Sequence, residues 1–155
     1  MKFILEINNK TNCEIEKKIL EKVFRYTVKE ANGENIFSRK NVSASVALVD
    51  LSEMRMLNKT HRNKDEATDV LSFSDFENLS QEDKGKKDIF LGELVLCCEY
   101  IKKSAKINNM SFPEELGYIF SHGILHLLGV SHSDEMFSIQ DRVVADVLKN
   151  KRNIA

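Results

Sequence analysis

Apolar and polar positions alternate along this chain with periods that change abruptly, and each change marks an element. Lys2–Asn8 reads as a first strand. Ile15, Ile19, Leu20, Val23, Phe24 and Val28, with Thr27 among them, then recur at the spacing of an amphipathic helix. Thr11 and Glu14 have the spacing of a capping box in front of it, and Gly33 closes the unit. Val42–Val49 predicts a second strand, followed by a short helix capped by Ser52 with Leu51, Met54 and Leu57 turned inward. Asp69–Phe73 predicts a third strand. The polar stretch Asp75–Asp88, which contains Gly85 and has no period, predicts a mobile loop.

Ile89–Leu96 predicts a fourth strand running into a helix from about Glu99 to Ile107. Ser111 and Glu114 form a second capping box, with Pro113 in the first turn, where a missing N–H costs least. The helix opened there carries Leu116, Phe120, Ile124 and Leu127 on its core side and ends at Gly129. Ser133 caps a last helix whose stripe is Met136, Ile139, Val143, Val147 and Leu148. With no repeat and no linker, this pattern predicts one α+β domain over residues 1–155, a small mixed sheet of about four strands packed with helices.

Composition narrows the class rather than the function. Hydrophobic residues at 42% and charged residues at 30% are those of an ordinary globular domain. A formal net charge of −1 gives no global attraction for nucleic acid, so any RNA contact must come from local patches. No segment is apolar enough to predict a membrane span, and the first residues offer no secretory core. Cys13, Cys97 and Cys98 are odd in number and make no disulfide framework; they read as small buried hydrophobes, in keeping with a reducing cytoplasm.

The chemistry concentrates in Ser121–His132, which holds His122, His126 and His132 out of four histidines in all. His122 and His126 share one helix face a turn apart. Gly129 permits the reversal that brings His132 back to them. Three neutral imidazoles suit one Zn²⁺ per chain, at about 2.0–2.1 Å per bond, with the fourth position left to water. The spacing is similar to that of metzincin proteases, but those carry a glutamate base after the first histidine. This chain has Gly123 there, so peptide hydrolysis by that route lacks its base.

With Gly123 and Leu125–His126–Leu127 in place, the segment resembles the signature of the YbeY family of endoribonucleases. Leu57–Asn58, Arg62 and Thr68–Phe73 resemble a second family block, and Leu91–Val95 a third. The likeness spans roughly residues 40 to 150, with two departures: Ser131 stands where the family has aspartate before the third histidine, and Glu93 replaces another aspartate. The resemblance implies a metzincin-like fold with Ile89–Leu96 as an exposed antiparallel edge strand. It implies a zinc-dependent endoribonuclease of the cytoplasm, acting on single-stranded RNA in ribosomal RNA 3′-end maturation and ribosome biogenesis. The implied partners are an rRNA precursor and the small ribosomal subunit, a ribosomal protein or a GTPase, with neither DNA nor membrane.

Arg62 falls on the family's arginine position and is the expected catalytic cation, since a guanidinium can hold two phosphate oxygens at once. Ser131, Asp69 and Gly123 are the expected supporting residues, Asp69 chiefly as a cap on the third strand. His61 as a fourth ligand would close the site and make it structural. Lys84, Lys86 and Lys87 in the loop, and Lys102, Lys103 and Lys106 on one helix, read as solvated faces. Two other functions use the same residues: a peptidase-like zinc hydrolase, and a zinc-stabilised module that binds ribosomes without catalysis.

Overall fold

In the computed structural model, which describes residues 1–31 and 33–149, a single four-stranded sheet organises the chain. The elements run β1 (Lys2–Asn9), α1 (Lys17–Glu30), α2 (Gly33–Ile36), β2 (Asn41–Val49), α3 (Leu51–Arg62), β3 (Val70–Ser74), α4 (Gln81–Lys84), β4 (Asp88–Cys97), α5 (Cys98–Ile107), α6 (Phe112–Leu127) and α7 (Asp134–Val143). A 3₁₀ turn, Phe76–Asn78, lies between β3 and α4, and α7 winds on as a π-helical turn, Val144–Lys149.

The strand order is β1-β2-β4-β3, with β1, β2 and β4 parallel and β3 antiparallel to β4. The α+β class and the mixed four-stranded sheet are those the pattern predicts. The edge assignment is not: β4 lies inside the sheet, and β3 is the edge on its side. The sequence carries the reason. Leu94–Cys97 is an unbroken apolar run with every residue buried, as expected of a strand covered on both faces.

On one face α1, α5 and α6 pack against the large core that includes Val42, Val46, Leu48, Ile89, Leu91 and Leu94. On the other, α3 covers Val49, Leu71, Val95 and Cys97 with Met54. Leu91 and Leu94 can share a face only because β4 bulges between them, where the register against β2 shifts between Ser43 and Ser45. Gly92 makes the bulge possible. Its φ is +141°, and a Cβ there would stand 2.2 Å from the Phe73 carbonyl oxygen.

Local chemistry fixes several ends as expected. Ser111 accepts from the Glu114 N–H at 3.3 Å to open α6, and Ser133 accepts from the Met136 N–H at 3.3 Å to open α7. Other ends differ. Thr11 caps no helix: its hydroxyl donates to Asn9 Oδ1 at 2.7 Å and accepts from the Cys13 N–H at 3.1 Å, so α1 waits until Lys17. Asp50, one residue outside α3, does the capping expected of Ser52 by accepting from the Glu53 N–H at 2.8 Å. The presumed loop 75–88 contains the 3₁₀ turn and α4. Cys13 and Cys98 are bonded as a disulfide across 85 residues, which corrects their reading as two separate hydrophobes; Cys97 is buried and free.

Candidate metal centre

α6 is laid against the sheet by a residue it lacks. A Cβ on Gly123 would meet Leu94 Cδ2 at 2.9 Å and Val70 Cγ2 at 3.3 Å, so any side chain there would crowd these aliphatic groups and oppose the close approach of the helix to β4 and β3. The Ser74 hydroxyl donates to the Leu127 carbonyl at 2.8 Å and ties the helix end to β3. A glutamate at 123 would be aimed into these aliphatic side chains.

Beside Gly123 on the same helix His122 and His126 project together, their Nε2 atoms 2.8 Å apart. After Leu128 the chain turns at Gly129, whose φ of +81° is one that glycine adopts freely. His132 then returns over the pair, its ring centroid 5.0 Å from each of theirs. One ring nitrogen from each of the three imidazoles lies within 4.8 Å of the others. Ligands around a tetrahedral zinc stand about 3.3 Å apart, a spacing that lies between the shortest and the widest separations of this donor set, so side-chain adjustments of about an ångström would seat the ion. Burial, with the neighbouring His122 and His132, depresses the pKa of His126 and favours the neutral imidazole that binds metal.

A residue outside the predicted set orients the cluster. Gln140 of α7 is 1% exposed, and its amide nitrogen donates to the Tyr118 carbonyl at 3.1 Å. Its oxygen is thereby left to accept from Nδ1–H of His122 at 3.2 Å, which assigns the tautomer and turns the lone pair of His122 Nε2 toward the other imidazoles. The signal was in the sequence: Met136, Ile139, Gln140 and Val143 form one helical stripe, and a polar residue on such a stripe needs a buried partner. Ser131, expected in this role, is exposed and makes no hydrogen bond to an imidazole among the described residues.

Asp69 starts β3, its carboxylate accepting from the Val70 N–H at 2.7 Å and the Thr68 hydroxyl at 3.3 Å. His61 packs edge-on against Phe73 at 5.1 Å and is not among the converging imidazoles. Arg62 is exposed at the outer margin of β3. It donates to the Ser72 carbonyl at 2.7 Å and the His61 carbonyl at 3.3 Å, and its guanidinium lies 5.0 Å from the Phe73 ring centre. No carboxylate among the described residues pairs with it, so it is not one half of a surface ion pair. Glu93 is exposed on β4 opposite Phe73. Of the lysines read as solvated, Lys86 pairs with Asp83 at 2.8 Å, while Lys84 and Lys102 lie over Phe76 and Phe112.

The chain is similar to known proteins. The family model described as Endoribonuclease YbeY matches residues 6–147. An endoribonuclease YbeY of Macrococcus caseolyticus is 34% identical over 138 residues, 86% of this chain and 88% of that protein. One from Staphylococcus epidermidis is 32% identical over 149 residues, 92% of this chain and 94% of that protein. The solution structure of a Thermotoga maritima protein matches with a TM-score of 0.61 and 29% identity, over 97% of this chain and 93% of that one.

Proposed function

Because the chain belongs to the YbeY family of endoribonucleases, we propose that it is a zinc-dependent enzyme that cuts single-stranded RNA during 3′-end maturation of ribosomal RNA. Its 155 residues act as one catalytic domain. The observation that carries the reading is the convergence of three imidazoles within 4.8 Å beside a close helix–sheet contact at Gly123. That contact also weighs against the peptidase-like alternative, whose base would have to occupy Gly123.

In this mechanism His122, His126 and His132 would hold one zinc ion, and Gln140 keeps His122 in the tautomer that presents Nε2. A zinc ion bound there would supply Lewis acidity toward a phosphoryl oxygen or a water molecule near neutral pH. Arg62 contributes the fixed positive charge that phosphodiester cleavage needs as negative charge builds on the phosphate. Two of its N–H groups are spent on carbonyls of the edge region, and the remaining ones can bind phosphate oxygens. β3 joins the two halves of the site: Val70 lies over Gly123 under the histidine helix, and Ser72 anchors Arg62. An RNA strand laid along this edge would meet both.

Ribosomal RNA precursor as substrate makes the small subunit or its associated proteins the natural partners and the cytoplasm the place of action. No helix among the described residues is long and apolar enough to cross a membrane. In a reducing compartment Cys13 and Cys98 would stand largely as thiols.

The test is incubation of zinc-loaded, metal-free and Arg62→Ala protein with a ribosomal RNA precursor, followed by mapping of 3′ ends. The loaded protein should cut, the metal-free protein should not, and Arg62→Ala should retain its zinc while cutting about 10²-fold more slowly. Cleavage by the metal-free protein would refute zinc dependence. Near-normal cleavage by the zinc-loaded Arg62→Ala protein would remove Arg62 from the site.

A further inference from the structure

On the face away from β3, the start of β1, the last turns of α1 and the segment after α2 enclose an open cavity of about 850 Å³. Lys2, Arg25, Lys29 and Arg39 line it, and no aspartate or glutamate does among the described residues. None of these four cations has a carboxylate partner there, although the chain as a whole carries a net charge of −1. Arg25 lies over the Phe3 ring at 5.9 Å, which gives the cavity an aromatic floor under its charge.

The charge continues along α1. Lys18, Lys22, Arg25 and Lys29 recur at four, three and four residues, so they form one exposed stripe about 16 Å long. The acids of that helix are drawn elsewhere: Glu21 pairs with Lys17 at 4.0 Å, and Glu30 with Arg142 at 3.1 Å. Arg39 is held at a φ of +62°, a left-handed conformation that glycine or asparagine adopts more readily. The end of α1 lies near the metal-binding helix: Ala31, just past α1, packs against the cluster of Leu125, Met136 and Ile139, and Leu125 adjoins His126.

We propose that this cavity and stripe form an RNA-backbone site outside the cleavage centre, holding phosphates of the strand whose other part enters the histidine cluster. That the strand is RNA rests on the endoribonuclease reading; that the site binds a phosphate backbone rests on the unpaired cations. Spaced cations from three elements around an aromatic ring suit a flexible polyanion, which is bound by charge and stacking rather than by base readout.

The experiment measures binding of a single-stranded RNA of about 20 nucleotides, longer than a single-domain binding site, to zinc-loaded protein across a salt series on ice. Wild type is compared with Arg25→Gln/Lys29→Gln/Arg39→Asn and with Lys103→Gln/Lys106→Gln on α5. Each lost phosphate contact flattens the slope of log K against log salt by about 0.7, so the triple variant should lose about 2 while the α5 variant keeps the wild-type slope. Zinc content and kcat on a long RNA should be unchanged in the triple variant, and its KM should rise about tenfold, as befits loss of binding common to ground and transition state. An unchanged slope overturns the proposal. Loss of poly-glutamate binding with an intact RNA slope also overturns it, in favour of an acidic protein partner. If wild type cuts no RNA but the triple variant still loses its slope, the backbone site stands and the cleavage reading falls.

Discussion

At the scale of single residues, the three histidines were legible because all the information is local. One helical turn and one glycine reversal within eleven residues bring them together. Gln140 was not found, because it reaches His122 from another helix and its role depends on how α7 docks on α6. The sequence instead pointed to Ser131, next to a histidine in the chain but facing solvent in the fold. A prediction separates the two. Gln140→Leu keeps the volume while removing both hydrogen bonds, so His122 loses its fixed tautomer and the Tyr118 carbonyl loses its donor. Zinc affinity should fall about 10- to 100-fold, the usual cost of losing a residue that orients a ligand. Competition against a colorimetric chelator reads this directly, and Gln140→Glu, which keeps an acceptor, should retain most of the affinity. Undiminished zinc affinity in Gln140→Leu would show that the hydrogen bond does not hold the ligand.

At the scale of elements, the helices and strands follow from periodicity, and the errors have identifiable causes. Thr11–Glu14 has capping-box spacing, but Asn9 and Cys13 claim the Thr11 hydroxyl first. Strand order was hidden because it depends on which strands meet in space; only the near-continuous burial of β4 hints at an interior position. The contact between α6 and the sheet is where an element sets the site. Gly123→Val would place new methyl groups against Leu94 and Val70, both in the packed core region, where a Cβ already meets Leu94 at 2.9 Å. Overpacking of this kind costs about 1–3 kcal/mol, which urea unfolding of the metal-free protein would read. The helix must also ride away from β4, so zinc affinity should drop together with stability. A Leu94→Ala change in the same protein should restore part of both, since the two sites share one space. If Gly123→Val is as stable as wild type, close helix–sheet approach is not what requires glycine at this position.

At the scale of the whole molecule, the cluster couples folding to pH and metal. Burial and the two neighbouring imidazoles hold the pKa of His126 below its free value in the folded, metal-free protein. The unfolded chain, with an ordinary histidine pKa of about 6.5, therefore binds the proton more readily. Stability rises with pH wherever the unfolded state carries more protons, so this contribution is complete above about 6.5 and is lost as pH falls toward the depressed folded value. Metal-free protein should thus melt at a lower temperature at acid pH than at neutral pH. His126→Phe, which cannot take the proton, should flatten that part of the profile. Zinc binds the folded state only after protons leave the imidazoles, so its affinity should weaken over the same pH range. At neutral pH, free zinc at a hundred times its Kd should add about 2.7 kcal/mol to the unfolding free energy, and chelation should remove it. Thermal melts of loaded and chelated protein across this range measure both effects. A metal-free melting temperature that rises on acidification through this window would contradict the buried, neutral His126 on which the metal site depends.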